Sequence, residues 1–258
     1  MKKFEFTGET KTTINGIVLH RIKALVRIDL GYSTIIEVGD LGGWLEKEDN
    51  LSYLGNAWVS GDAEVLGDAK IYGDALISGY SRVFGNARIF GNARIYNHAW
   101  VFGDALVSGY AWIYGNAQVF GDAVVADSAW VFGDAEVHGN AQVSGDARIF
   151  CNAQVSGDAE VLGDAKIYGD SKVSGDACID KCDHILNIGP IGSRNEFTTF
   201  FRTKDRKIKV SCGCFLGTID EFLEKVKQTH RDSKHAIVYK AAADIALAKI
   251  DTSDEDDT

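Results

Sequence analysis

The sequence predicts a mainly β protein: a parallel β-helix, preceded by a β cap and followed by a small α+β domain. Three observations carry this expectation. A hexapeptide repeats from Gly55 to Asp180 in 21 consecutive units, GNAWVS, GDAEVL, GDAKIY and onward, with no insertion or deletion. Within each unit the third residue is almost always Ala and the fifth almost always Val or Ile. From Ser193 onward the period is gone, and hairpin and helix signals replace it. A fixed period of this kind is the signature of a solenoid.

The hexad has a physical reading. Positions three and five are separated by one residue, so on an extended strand they point to the same side, here the inside. Positions one and two are usually Gly followed by Asp or Asn, which tolerate left-handed backbone angles. Each hexad is therefore a short strand plus a corner. Three hexads close a triangular coil, and 21 units make seven full coils. With parallel strands about 4.8 Å apart, the rod is roughly 30 Å long. Each coil buries three Val or Ile side chains, at about 1.5–3 kcal/mol apiece before chain entropy is subtracted.

Residues 1–54 are expected to form an N-terminal β cap over the first coil, because terminal coils expose unpaired backbone and core. KFEFTGET and INGIVLHRIKALVRI are rich in strand formers, with a turn signal at Asn15-Gly16. The β-helix is assigned to 55–192, with KCDHILNIGPIG (181–192) as a last, decaying coil. In the domain 193–250, a hairpin is expected around Lys204-Asp205. A capping box at Thr218–Glu221 opens a first helix, and a second runs roughly from Lys234 to Ile250. Residues 251–258 read as an acidic, disordered tail.

The outward positions four and six of the hexads fall on three faces. Face one carries Trp58, Leu76, Arg94, Trp112, Trp130, Arg148 and Lys166 at position four. At position six it carries Ser60, Ser78, Tyr96, Tyr114, Phe132, Phe150 and Tyr168. Face two has Phe84, Trp100, Phe102 and Phe120, and face three begins with Tyr72 and Phe90 and then fades to Leu106, Ser108, Val124, Ala126, Gln142 and Ser144. Two apolar faces on one rod suggest a heterologous contact that closes into a ring. The plainer alternative is that aromatics stack well on a β ladder.

The repeats resemble the left-handed β-helix of the hexapeptide-repeat superfamily, best known from trimeric acyl- and acetyltransferases. The left hand is implied by that resemblance; the ordinary crossover preference is right-handed. The mixture of GNA and GDA units also resembles phage and prophage hexapeptide-repeat proteins. Those share a GDLGGW-like lead-in, here Gly39–Trp44, and a CGCF-GT segment, here Cys212–Thr218. The resemblance implies a homotrimer. In the transferases a His near a subunit boundary acts as general base, which makes His98 and His138 the catalytic candidates. This run, however, lacks the coil-interrupting loops that build an acceptor site in those enzymes.

His98, Trp100, Trp112 and Trp130, with Arg94 and Arg148 as anion partners, form the candidate ligand-binding set. Cys178, Cys182, Cys212 and Cys214 are candidate metal ligands with His184 nearby, but C-x3-C and C-x-C are not zinc-ribbon spacings, and free thiols are the simpler reading. The corner Asp column either imitates nucleic-acid phosphates or satisfies local backbone, and free exchange with Asn favours the latter. The basic hairpin Arg202–Lys209 either holds a phosphate-bearing ligand or is a solvated face.

A net charge of −10 argues against general nucleic-acid binding. The sequence has no long apolar run and no signal-peptide pattern, so a cytoplasmic protein with five reduced cysteines is expected, without membrane or cofactor. Three functional classes follow. The favoured one is a non-enzymatic oligomeric binding protein of phage or prophage type, sequestering a nucleotide signal or host protein as counter-defence in the host cytosol. The others are an acyl- or acetyltransferase and a structural or virion rod. Fold alone does not choose among them.

Overall fold

The computed structural model describes residues 2–31 and 33–253. The tail assigned to 251–258 therefore falls largely outside the described residues. The chain opens with β1 (Phe4–Thr12) and β2 (Val18–Ala24), an antiparallel hairpin whose turn contains Gly16 at φ 81. A small hairpin, β3 (Ile28–Asp29) and β4 (Ile35–Ile36), precedes β5 (Leu41–Leu45). Then come 21 two-residue strands, one per hexad, from β6 (Trp58–Val59) to β26 (Cys178–Ile179).

Every third strand pairs in parallel, producing the three faces. Face one is β6, β9 and so on to β24, and face three is β8, β11 and so on to β26. Face two, β7 to β25, is extended by β5, β2 and β1 into a ten-stranded sheet. Trp44 pairs with Glu64 and Leu51 with Ile71, twenty residues apart, whereas Trp58 pairs with Leu76 at the eighteen-residue offset kept by later coils. The parallel β-solenoid thus has seven regular turns preceded by one irregular turn inside the cap.

The core confirms the hexad reading: Ala and Val or Ile at positions three and five, such as Ala111, Ile113, Ala129 and Val131, are fully buried. The corners need the left-handed region. Gly103 has φ +74, and a Cβ placed on it would lie 2.9 Å from the Gly121 amide nitrogen one coil on. Three corners carry other residues at positive φ, namely Asn97, Asp127 and Cys151. The corner Asx side chains link successive coils, as in Asn116 Nδ2 donating to Asp134 Oδ1 at 2.8 Å and Asn152 Nδ2 to Asp170 Oδ1 at 2.8 Å.

Amides at positions two, four and six donate to carbonyls one coil later, as Trp58 does to Ala75, Ser60 to Ile77 and Asp62 to Gly79. The first regular turn therefore presents carbonyls with no regular coil before them, met in part by the Trp44, Glu46 and Ser52 amides of the irregular turn, and the last presents amides with no coil after them. The N-terminal segment supplies donors. Lys3 Nζ donates to the Ala57 and Gly55 carbonyls at 2.7 and 3.2 Å, and Asn50 Nδ2 to Gly67 and Ala69 at 3.0 Å each. Burial holds the Lys3 ammonium down at about 8. At the other end acceptors appear: Thr199 Oγ1 takes the Lys172 amide at 3.1 Å, and His184 Nδ1 takes the Asp180 amide at 3.4 Å.

Past β26 the chain departs from the expected decaying coil. Residues 182–184 make a 3-10 turn, and β27 (Ile185–Ile191) enters an antiparallel sheet with β28 (Glu196–Arg202), β29 (Ile208–Cys212) and β30 (Phe215–Thr218). The loss of the Gly-Asx corners after Asp180 is the physical reason. Thr218 and Glu221 form the expected capping box and open α1 (Ile219–His230), and α2 (Lys234–Lys249) packs beside it. Phe201 and Ile185 join the solenoid core, while Phe200 on the opposite face joins Val210, Phe222 and Tyr239 in a second core.

The basic hairpin is a clamp on the last coils. Lys204 pairs with Glu160 at 2.7 Å, Lys209 with Asp176 at 2.6 Å and Arg202 with Asp180 at 3.1 Å. Buried His184 contacts Asp180 as well. Burial, then the Arg202 charge, lowers the His184 imidazole below 6.5, outweighing the opposing pull of Asp180.

Two predictions follow from these contacts. Gly103→Val forces a branched side chain into a left-handed corner against the next coil, and is expected to lower stability by about 2–4 kcal/mol, read from the urea midpoint. For His184, the unfolded state binds more protons between the lowered folded value and 6.5. Its stabilisation is thus full above that range and lost as pH falls through the folded value. The thermal midpoint is expected to drop as pH falls below about 6.5, and His184→Asn to flatten that part of the slope.

Candidate functional site

The candidate site lies on faces one and two, and the coil register builds it. Residues eighteen apart stack along the rod. On face one, Trp112 and Trp130 stack with ring centroids 5.3 Å apart and planes within 8°. Beside them runs a row of five rings, Tyr96, Tyr114, Phe132, Phe150 and Tyr168, with successive centroids 5.0, 4.8, 5.0 and 5.6 Å apart. The rows touch edge to face, Tyr96 on Trp112 at 5.8 Å and Tyr114 on Trp130 at 6.3 Å. Arg148 lies over the Trp130 ring at 5.2 Å. Burial raises the Tyr96 and Tyr114 phenols, so both stay neutral near pH 7.

Face two carries a second row, Phe84, Phe102, Phe120 and His138, each pair 4.8 Å apart. Trp100 meets Phe84 edge-on at 6.2 Å, lies under Arg82 at 5.4 Å and remains 39% exposed. His98 sits at the corner between the two faces and stacks on Tyr80 at 5.3 Å. On face three only the Tyr72–Phe90 pair, at 4.9 Å, is found among the described residues. The rings stack along the rod axis, so outward they present mainly edges. This is an apolar wall suited to another protein surface, or to the flank of a flat ligand.

The structure groups Trp112, Trp130 and Arg148 into one contact cluster. His98 and Trp100 lie around the corner, each with partners of its own. Arg94 is elsewhere engaged: it is buried, and its guanidinium donates to the Leu30 carbonyl at 2.7 Å and the Asp74 carbonyl at 2.8 Å. Trp58, expected to face outward, is fully buried in the core cluster that includes Ile28 and Leu30. In both cases the cap folds over the first coils of face one.

The imidazoles of His98 and His138 make no hydrogen bond with an acidic or hydroxyl side chain among the described residues, and each meets an aromatic ring instead. The cysteines are all free. Cys212 contacts Thr198 Oγ1 at 3.3 Å and Tyr239 Oη at 3.9 Å, while the Cys182 sulfur lies 4.0 Å from the Asp164 carbonyl on the solenoid. Among the described residues no three His, Cys, Asp or Glu side chains gather in a metal-holding arrangement. No helix among them is long and apolar enough to cross a membrane.

Fold and surface together define a β-solenoid repeat protein with an aromatic wall. The YdcK beta solenoid repeat family matches residues 87–102 and 117–135, the coils that carry Trp100, Phe102, Phe120 and Trp130. The chain is similar to that family over this central stretch. No curated protein gives a significant match.

Arg94 provides a clear test of cap against ligand contact. Arg94→Ala leaves the Leu30 and Asp74 carbonyls without their charged donor, and is expected to lower stability by about 2–4 kcal/mol. Limited proteolysis should then cut within residues 1–40 faster. A variant with unchanged stability and protease resistance would return Arg94 to the ligand-binding set.

Proposed function

We propose that the chain is a non-enzymatic binding protein of the hexapeptide-repeat superfamily, with left-handed coils, that assembles as a cyclic homotrimer. In this reading face one of each subunit meets face two of the next. A nucleotide-like molecule or a host protein is held at the subunit boundary, near His98, Trp100, Trp112, Trp130 and Arg148. The phage-type resemblance of the flanking segments extends the reading to counter-defence in the host cytosol, by sequestering a nucleotide signal or a host protein.

One observation carries the proposal: two long rows of half-exposed rings occupy adjacent faces of an uninterrupted rod. A heterologous pairing of unlike faces closes when the rotation is one third of a turn. Three copies then bury all six aromatic walls and leave the more polar third face to solvent. The histidines favour binding over catalysis here, since their rings are stacked and no acidic partner among the described residues orients them.

Light scattering tests the assembly. The wild type is expected at three times the 28.0 kDa chain mass. Trp112→Glu with Trp130→Glu is expected to give monomers, each buried tryptophan contributing about 2 kcal/mol or more to such an interface. A doubly substituted chain that stays trimeric would refute the arrangement. Native mass spectrometry of protein taken from its own cells separates the ligands: added mass of nucleotide size supports sequestration, bound acyl-CoA supports a transferase, and tight association with particles supports a rod.

A further inference from the structure

A second site lies in the C-terminal domain, away from the aromatic walls. A cavity of about 270 Å³ opens between the β29–β30 turn, the start of β28 and the two helices. Phe215, Phe222 and Val226 give it apolar walls. Arg194, Lys225 and His230 line its polar side. Gly213 lines it, and a Cβ there would lie 2.9 Å from Arg194 Nη1; beside it Tyr239 packs on Gly192, where a Cβ would lie 1.8 Å from the phenol oxygen.

The charges are unusual for this molecule. The hairpin cations Arg202, Lys204, Lys207 and Lys209 are each matched to a carboxylate. Arg194 and Lys225 have no ion-pair or hydrogen-bond partner among the described residues, yet both line one cavity in a protein of net charge −10. Glu196 is the one carboxylate in the lining among the described residues. At the inner wall the Cys212 thiol lies 3.9 Å from the Tyr239 oxygen. Burial, with the Cys212 thiol beside it, pushes this phenol up to about 12, so it is protonated at neutral pH.

We propose that this cavity binds a compact organic anion: one ring or a short alkyl chain on the apolar walls, with a carboxylate or phosphate group held by Arg194 and Lys225. The volume admits a single ring but not a nucleotide, which separates this site from the trimer-boundary proposal. It requires no particular oligomeric state.

Benzoate and phenyl phosphate are suitable probes, with neutral benzyl alcohol as the control, titrated calorimetrically into the full chain. Both anions are expected to saturate at dissociation constants of about 1 mM or tighter, the range a ligand of this size reaches. Benzyl alcohol is expected to bind at least about tenfold more weakly. Arg194→Ala with Lys225→Ala, both at exposed positions, should weaken the anions about tenfold or more, whereas Lys227→Ala, outside the lining, should not. Cys214, exposed at the cavity mouth, gives an independent readout. Benzoate should slow its alkylation by iodoacetamide at least about threefold and leave exposed Cys151 in the same sample unaffected. Absence of saturable binding by either anion, equal binding of benzyl alcohol, or affinity indifferent to loss of Arg194 and Lys225 would each overturn the proposal. The relative affinity of the two anions distinguishes a carboxylate site from a phosphate site.

Discussion

Each residue of the rod lies beside the residue eighteen places later, and the rest of the structure depends on that coincidence. A parallel ladder with one chain crossing has no freedom to adjust locally, because a single inserted residue would turn an inward Val outward for every coil that follows. The unbroken hexad register is therefore a condition for burying Ala and Val or Ile at every level. The same register turns a one-dimensional pattern into vertical columns. Rings fall on rings, and corner amides fall on corner carboxylates.

Columns of this kind make composition on the outside a structural statement. Stacked aromatic pairs contribute about 0.5–1.5 kcal/mol beyond their burial, so the rows on faces one and two reinforce the coils even where they remain half-exposed. Corner Asn and Asp residues serve the same end. Asn116 above Asp134 and Asn152 above Asp170 replace like-charge contacts with hydrogen bonds. The acidic columns are consequently part of the scaffold, which favours corner chemistry over phosphate mimicry as the account of the negative charge.

The regular coils were readable because every contact in them is a fixed offset. Trp112, Trp130 and Arg148 fall together by counting eighteen, and the structure agrees. The ends were harder. Trp58 and Arg94 sit at ordinary outward positions, and nothing local announces that the segment around Leu30, 64 residues before Arg94, will fold over them. Ile185–Ile191 kept the hexad length without its corners, and length alone did not keep it in the solenoid. The clamp made by the basic hairpin was not legible, because its partners Glu160, Asp176 and Asp180 belong to coils well before it in the sequence. The C-terminal cavity was invisible for a similar reason, since Arg194, Lys225 and Tyr239 come from separate elements. Thr218–Glu221, by contrast, is a local code and was legible outright.

The two ends of the solenoid are sealed by different means, donors from Lys3 and Asn50 at one and acceptors from Thr199 and His184 at the other, and neither seal refers to how many coils lie between. The rod is thus modular in length. Duplicating or deleting an eighteen-residue turn between Arg94 and Glu160, clear of the contacts that the two ends make, would move the C-terminal domain by one strand spacing, about 4.8 Å, and return it to the same side of the prism. Faces, corners and caps would all remain in phase. A lineage carrying this architecture can change the reach of its binding wall by whole coils through simple recombination between near-identical repeats, while the terminal domains inherit no penalty from the change.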